Sequence, residues 1–313
     1  MQKSVHKKQH SNTAKHSQDQ NSDALQAYAY NRLKKAGLLS HPHFKINHFG
    51  QIVISYNELD GSTMLYNKPT TTRKTLAIEC PDKWRDKAPM QVKRLTPQQA
   101  EKIGAKYLSP KGAGTPPYFT PEAVKAYKDA LKLRKQLEIL FLTEGELKAA
   151  VFSLITGIPA ISFKGISSYK LCNRLRTLLA ATLPKILVIN YDADAHNRDS
   201  MKRLRAFVAS CVRFVAELRR FCVELGITPP KIYVNTQNPK QPYKGIDDLF
   251  LESQESPDLA FLTLQDSEHF LFKEIDISDS YKGISEFFNF RSKALKRESE
   301  AAIVLKSDYN YLS

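Results

Sequence analysis

Two short apolar runs in this chain break off at carboxylates, and each is followed by helical sequence. The first reads Phe141-Leu142-Thr143-Glu144-Gly145-Glu146-Leu147-Lys148-Ala149 and the second Ile186-Leu187-Val188-Ile189-Asn190-Tyr191-Asp192-Ala193-Asp194. A continuous apolar run of this kind suits a strand buried on both faces, as in a parallel sheet with helices on either side. In an open sheet of that type the carboxyl ends of the strands emerge along one crest, where ligands bind. The two runs therefore predict an α/β fold with acids gathered on a single edge.

The surrounding sequence repeats the alternation. Thr120-Pro121-Glu122 is a helix start, with Thr as cap, Pro at the first helical position and an acid in the first turn; that helix is expected to run to about Lys135. Strands are predicted over 138–143, 160–163, 185–191 and 232–234. Helices are predicted over 146–156, closed by Gly157, over 169–183, stopped by Pro184, and over 199–225, ended by Gly226. In the last of these Leu204, Phe207, Val208, Cys211, Val215, Leu218 and Cys222 form a stripe at helical spacing. A short helix over 244–251 follows. Strands alternating with helices imply a parallel sheet with right-handed crossovers.

Upstream the pattern is different. Residues 23–39 read as a short helix. Residues 51–56 and 63–66 read as the arms of a β-hairpin around a turn that contains Asp60-Gly61. The stretch 106–118, with Gly112, Gly114 and three prolines, reads as a connector, with a phosphate-contacting loop as the functional alternative. The expected division is a basic, disordered tail over 1–22, a small α+β domain over 23–136, the α/β domain over 137–252 and an accessory segment over 253–313. The last of these holds Phe261, Phe270, Phe272, Phe287, Phe288 and Phe290, which suggests packing on the sheet or on a partner.

Charge points to the kind of partner. The net formal charge is +15, yet residues 253–313 hold 7 basic and 11 acidic residues, which leaves +19 to the rest. A balance that basic favours a polyanion such as nucleic acid. Cys80, Cys172, Cys211 and Cys222 form no Cys-x-x-Cys pair and have no His at zinc-ligand spacing. They read as core residues of a reducing, cytoplasmic setting. No apolar run of membrane-spanning length occurs, and the basic N-terminal stretch lacks the apolar segment of a secretory signal. His6, His10 and His16 fall in the polar tail and read as solvated.

Asp192 and Asp194 stand two apart at a strand end, so in extended chain their side chains point the same way. Glu144 ends the preceding apolar run and could meet them at the crest. Asp247 and Asp248, in Lys244-Gly245-Ile246-Asp247-Asp248, follow the fourth strand. Carboxylates crowded without a cation repel, so a bound hard ion such as Mg²⁺ or Mn²⁺ is expected, with Glu144 as a further ligand or an acid/base through metal-bound water. Each cluster taken singly is also what a helix cap looks like; the ordered set carries the signal.

That set resembles the topoisomerase–primase (Toprim) domain, in which a Glu follows the first strand and an Asp-x-Asp a later one. The local wording is similar to primase-like proteins of plasmids, phages and other mobile elements: Glu-Gly-Glu-x-Lys-Ala at Glu144 to Ala149, Gly-Ile-Pro-Ala at Gly157 to Ala160, Asp192, Asp194 and Asn197, and Lys-Gly-x-Asp-Asp at Lys244 to Asp248. The resemblance covers roughly 137–252, and more loosely 51–66 and 107–118. It implies a Toprim-like parallel sheet flanked by helices and Mg²⁺-dependent primer synthesis on single-stranded DNA from nucleotides. Glu144, Asp192 and Asp194 would be the catalytic acids, joined by Asp247 and Asp248 around metal. Lys148 and Lys244 would contact phosphate, and Arg198, Lys202, Arg203 and Arg205 would follow a nucleic-acid backbone, although a solvated face suits these basic residues equally well. The chain has neither a zinc-module ligand set nor a Gly-x-x-x-x-Gly-Lys-[Ser/Thr] motor motif, so a zinc-module protein or helicase would be a separate partner. The alternatives are a Toprim nuclease and a non-catalytic nucleic-acid-binding replication accessory protein.

Overall fold

The computed structural model describes residues 23–68, 86–165, 171–192, 201–235, 245–252 and 272–275. The chain forms two compact units. The first comprises Met1–Asn57 and Thr63–Gly114, the second Glu58–Ser62 and Thr115–Ser313.

The first unit opens with helix α1 over residues 23–35, whose Ala29 and Leu33 are buried. Strands β1 (Phe44–Ile46), β2 (Ile52–Ser55), β5 (Gln91–Arg94) and β6 (Tyr107–Leu108) make an antiparallel sheet in the order β1-β2-β5-β6. Strand β3 (Leu65–Lys68) pairs separately with β4 (Asp86–Pro89), and helix α2 (Pro97–Ile103) is held by a Thr96–Gln99 capping box.

The predicted hairpin is therefore not a regular one. Both edges of β2 are taken by β1 and β5, and its expected partner pairs with β4 instead. One bridge, Asn57 to Thr63, joins the two arms. The turn itself closes: Asp60 Oδ1 accepts from the Ser62 amide at 2.8 Å, Gly61 takes a positive φ of 86°, and the Met64 amide donates to the Tyr56 carbonyl at 2.9 Å. The stretch read as a connector over 106–118 also contains pairing, since β6 lies at one end of it and β7 (Tyr118–Phe119) at the other.

The second unit is an α/β layer structure. Its six-stranded sheet has the order β12-β11-β10-β8-β9-β7. The four inner strands, β8 (Ile139–Glu144), β9 (Ala160–Phe163), β10 (Ile186–Asn190) and β11 (Lys231–Asn235), are parallel, as the alternation predicts. The two edges, β7 and β12 (Phe272–Ile275), run antiparallel. Leu140, Leu142, Ile161, Leu187, Ile189, Ile232 and Val234 face one side, where α3 (Pro121–Leu133), α5 (Asn173–Thr182) and α6 (Met201–Leu225) supply Val124, Leu178, Phe214 and Leu218 to the same core. Successive residues of a strand face opposite sides. Phe141 accordingly turns the other way and stacks on Phe152 of α4 (Glu146–Thr156) at 3.8 Å between ring centres. Helix α7 (Ile246–Glu252) completes the described elements. Cys211 and Cys222 are free thiols in the core, as expected; Cys80 lies outside the described residues.

One side chain ties three elements together. Thr120, fully buried, accepts from the Ala123 amide at the start of α3 and from the Ala160 amide of β9, each at 3.3 Å, and its hydroxyl meets Ser153 Oγ of α4 at 3.2 Å. Thr120→Ala strands two buried N–H groups and is expected to cost about 1–3 kcal/mol in urea unfolding. An unchanged midpoint would show that the cap does not carry this junction.

Candidate active site

Strands β8 and β10 are parallel neighbours in register, with Thr143 opposite Asn190, and Asn190 Nδ2 donates to Thr143 Oγ1 at 3.2 Å. Glu144 is the last residue of β8, and Asp192 follows the end of β10 by two residues. Their shared crest is thus fixed by sheet register. Gly145 then turns the chain from β8 into α4 with a φ of 89°, a conformation open to glycine at little cost. The turn is tied to β9 by the Gly145 amide, which donates to the Phe163 carbonyl at 3.0 Å.

Lys148, in the first turn of α4, forms an ion pair with Asp192. Both are largely buried, with side-chain exposures of 18% and 11%. Burial works against the charged ammonium. The carboxylates of Asp192, Asp247 and Glu144 outweigh it and hold Lys148 above the ordinary lysine range. Three acids from three separate elements therefore act on one ammonium: the ends of β8 and β10 and the first turn of α7.

Gly245 shows how closely the parts fit. A Cβ there would stand 2.5 Å from Asp247 Oδ1 and 2.8 Å from Lys148 Cε. The glycine of the Lys-Gly-x-Asp-Asp motif is thus a matter of space. Asp248 turns to the backbone, its Oδ2 accepting from the Gly245 amide at 3.3 Å. Of the other residues singled out from sequence, Asp194, Arg198 and Lys244 lie outside the described residues. Lys202, Arg203 and Arg205 fall in the first turns of α6.

Two charged residues escaped the sequence reading. Glu146, quoted only as part of a motif, is 2% exposed; burial, with the added fields of Glu146 and Glu122, pushes the Tyr118 phenol well above its usual range. Lys164, next to the end of β9, is pushed down by burial against the opposing pull of Glu146. The signal available was the doubled acid of Glu144-Gly145-Glu146, where the second Glu begins a helix and is drawn inside. Among the described residues, no group of three or more His, Cys, Asp and Glu side chains is placed to hold a metal ion between them. The acids share Lys148 instead. As hard oxygen donors they fit Mg²⁺ or Mn²⁺ in chemistry.

No protein-family model matches the chain, and no curated protein matches it. Among solved structures it is similar to a DnaG primase catalytic domain bound to ssDNA, at 14% identity and a TM-score of 0.33, over 89% of this chain and 76% of that one. It is also similar to a DnaG catalytic core, at 13% identity and a TM-score of 0.33, over 83% and 69%. A likeness of this degree assigns neither activity nor partner. Among the described residues no helix is long and apolar enough to cross a membrane.

Two outcomes follow from this geometry. Gly245→Ala is expected to lose about 1–3 kcal/mol by overpacking Lys148 and Asp247, measured by denaturant unfolding; a neutral result would place α7 elsewhere. Asp192→Asn is expected to cost about 3 kcal/mol at neutral pH, because it leaves a buried ammonium short of its partner. An ammonium raised in the folded state adds stability below its unfolded pKa and loses it as pH rises through the folded value. The gap between wild type and D192N should thus hold up to the ordinary value of 10.5 and narrow above it. A gap independent of pH across that range would remove Lys148 from the account.

Proposed function

We propose that this chain is a divalent-metal-dependent nucleotidyl transferase, a primase-like protein of a mobile element or phage that makes primers on single-stranded DNA. The observation that carries this reading is that the parallel pairing of β8 with β10 brings Glu144 and Asp192 to one crest, where Asp192 forms an ion pair with Lys148 and Asp247 lies beside the same lysine stem at Gly245. The ordered motifs around those acids, and the strongly basic balance of the chain outside residues 253–313, support it.

Glu144, Asp192 and Asp194 are the residues proposed to hold Mg²⁺ or Mn²⁺, with Asp247 beside them. Asp248 serves this group through the Gly245 backbone. When bound, the ion would neutralise the charge of a triphosphate and its leaving pyrophosphate. The chain's own groups position the reaction. Glu144 stands at a strand end where it can take a proton from an attacking hydroxyl. Lys148 and Lys244 would meet phosphate. Arg198, Lys202, Arg203 and Arg205, around the start of α6, would track a polynucleotide backbone. Template loading by a separate helicase or zinc-module protein completes the proposal.

The test is incubation with single-stranded template, Mg²⁺ or Mn²⁺ and labelled nucleotides. New oligonucleotides are expected, and Asp192→Asn and Glu144→Gln should each cut their yield by about a hundredfold. Shortened template without synthesis would make the protein a nuclease. Binding without either product would make it an accessory protein, and synthesis undiminished in both variants would detach the activity from this site.

A further inference from the structure

We propose that the first unit carries a binding surface for the bases of a single-stranded polynucleotide, made by helix α1 and the turn between β1 and β2. It uses none of the residues of the catalytic reading above and stands without that reading.

Helix α1 has two faces. Ala29 and Leu33 are buried, while Gln26, Tyr30 and Lys34, each four residues from the next, share an exposed face. Gln26, Tyr30 and Asn31 line a cleft of about 520 Å³, to which the β1–β2 turn contributes Asn47 and His48. The next residue of the turn, Phe49, is 55% exposed, and its ring centre lies 3.8 Å from that of His48 with the planes tilted by 44°.

The turn that displays these rings is held from several sides. Asn47 Oδ1 accepts from the Phe49 amide at 3.1 Å and from the Gln51 amide at 3.0 Å, and Asn47 Nδ2 donates to Gln51 Oε1 at 3.0 Å. Gln99 Nε2 of α2 donates to the Phe49 carbonyl at 3.0 Å, and Gln26 Nε2 donates to the His48 carbonyl at 3.4 Å. Gly50 brings the turn against α1, since a Cβ there would stand 2.6 Å from the Leu25 carbonyl carbon. A phenylalanine stabilises a fold through the surface it buries, and Phe49 forgoes much of that. Fixing its backbone while leaving its ring in water suits a surface made for a ligand.

The lining names the class of ligand. Aromatic rings stack on the faces of unpaired bases, and Asn and Gln side chains pair with base edges. A duplex keeps those faces stacked within itself, so the fit is to a single strand. Charge agrees: Lys34 lies on the cleft face of α1, and residues 23–57 hold Arg32, Lys34, Lys35 and Lys45 against one acid, Asp23. Basic groups beside exposed rings are how proteins follow a phosphate backbone while stacking its bases.

The test is fluorescence anisotropy of labelled oligo(dT) with the full chain, comparing wild type with F49A, Y30A and Y30F and checking fold by circular dichroism. F49A and Y30A should each weaken binding about tenfold, as expected for the loss of one base-stacking ring, whereas Y30F should stay near wild type. Raised salt should weaken wild type and F49A together and leave the ratio between them, because stacking is not screened. Unchanged affinity in folded F49A and Y30A, or equal affinity for a duplex of the same length, would overturn the proposal. Should the variants fail to fold, wild type decides: photocrosslinking to an oligonucleotide carrying 5-iodouracil, read by peptide mass spectrometry, should mark Tyr30, His48 or Phe49. Crosslinks confined to other parts of the chain would overturn it. Binding at this surface without primer synthesis would remove the catalytic reading and leave this one standing.

Discussion

Lys148 comes from the first turn of α4 and Asp192 from just beyond β10, so their ion pair can form only if β8 and β10 run parallel, as neighbours, in one register. Side chains on a strand alternate, and a slip of one residue would turn Asp192 to the other face. The pair is thus both a product of the sheet and a check on it. Around it the second unit is built for tolerance of buried charge: Glu144 and Asp247 face the same ammonium, Gly145 turns the chain sharply into α4, and Gly245 keeps the space open.

Clustered acids were expected to require a metal ion, because carboxylates without a cation repel. The cation seen in the structure belongs to the chain. Repulsion alone therefore no longer demands a metal, and the functional reading stands on the convergence of the acids at the sheet crest. Lys148 shifts meaning too. Read from sequence as a phosphate contact or, equally, a solvated surface charge, it is largely buried and engaged with Asp192.

Much of the second unit was legible because its signals are local. Helix α4 runs over the expected residues and ends at Gly157 in the left-handed conformation; β9 likewise matches, and Thr120 caps α3 through its own hydroxyl. These depend on caps, glycine and apolar runs, all visible within a few residues. The edges were not legible. Strands β7 and β12 are short and take their conformation from β9 and β11, partners distant in the chain. In the first unit the helix and the strand around Ile52–Ser55 match, and the hairpin pairing failed for the same reason: Leu65–Lys68 pairs with Asp86–Pro89 across a long separation, and no local pattern announces it. At the site, Glu144, Asp192, Asp247 and Asp248 could be named from their motifs, whereas the burial of Glu146 and the space made by Gly245 are properties of packing.

The central claim is that Glu144 and Asp192 share a cation position on one sheet edge. A crystal soaked with Mn²⁺ and a nucleoside triphosphate, measured for anomalous scattering, tests it most directly. A peak at about 2.0–2.3 Å from carboxylate oxygens of both residues is the predicted result. Those two carboxylates found on separate faces of the sheet, or the only peak found away from both, would contradict it.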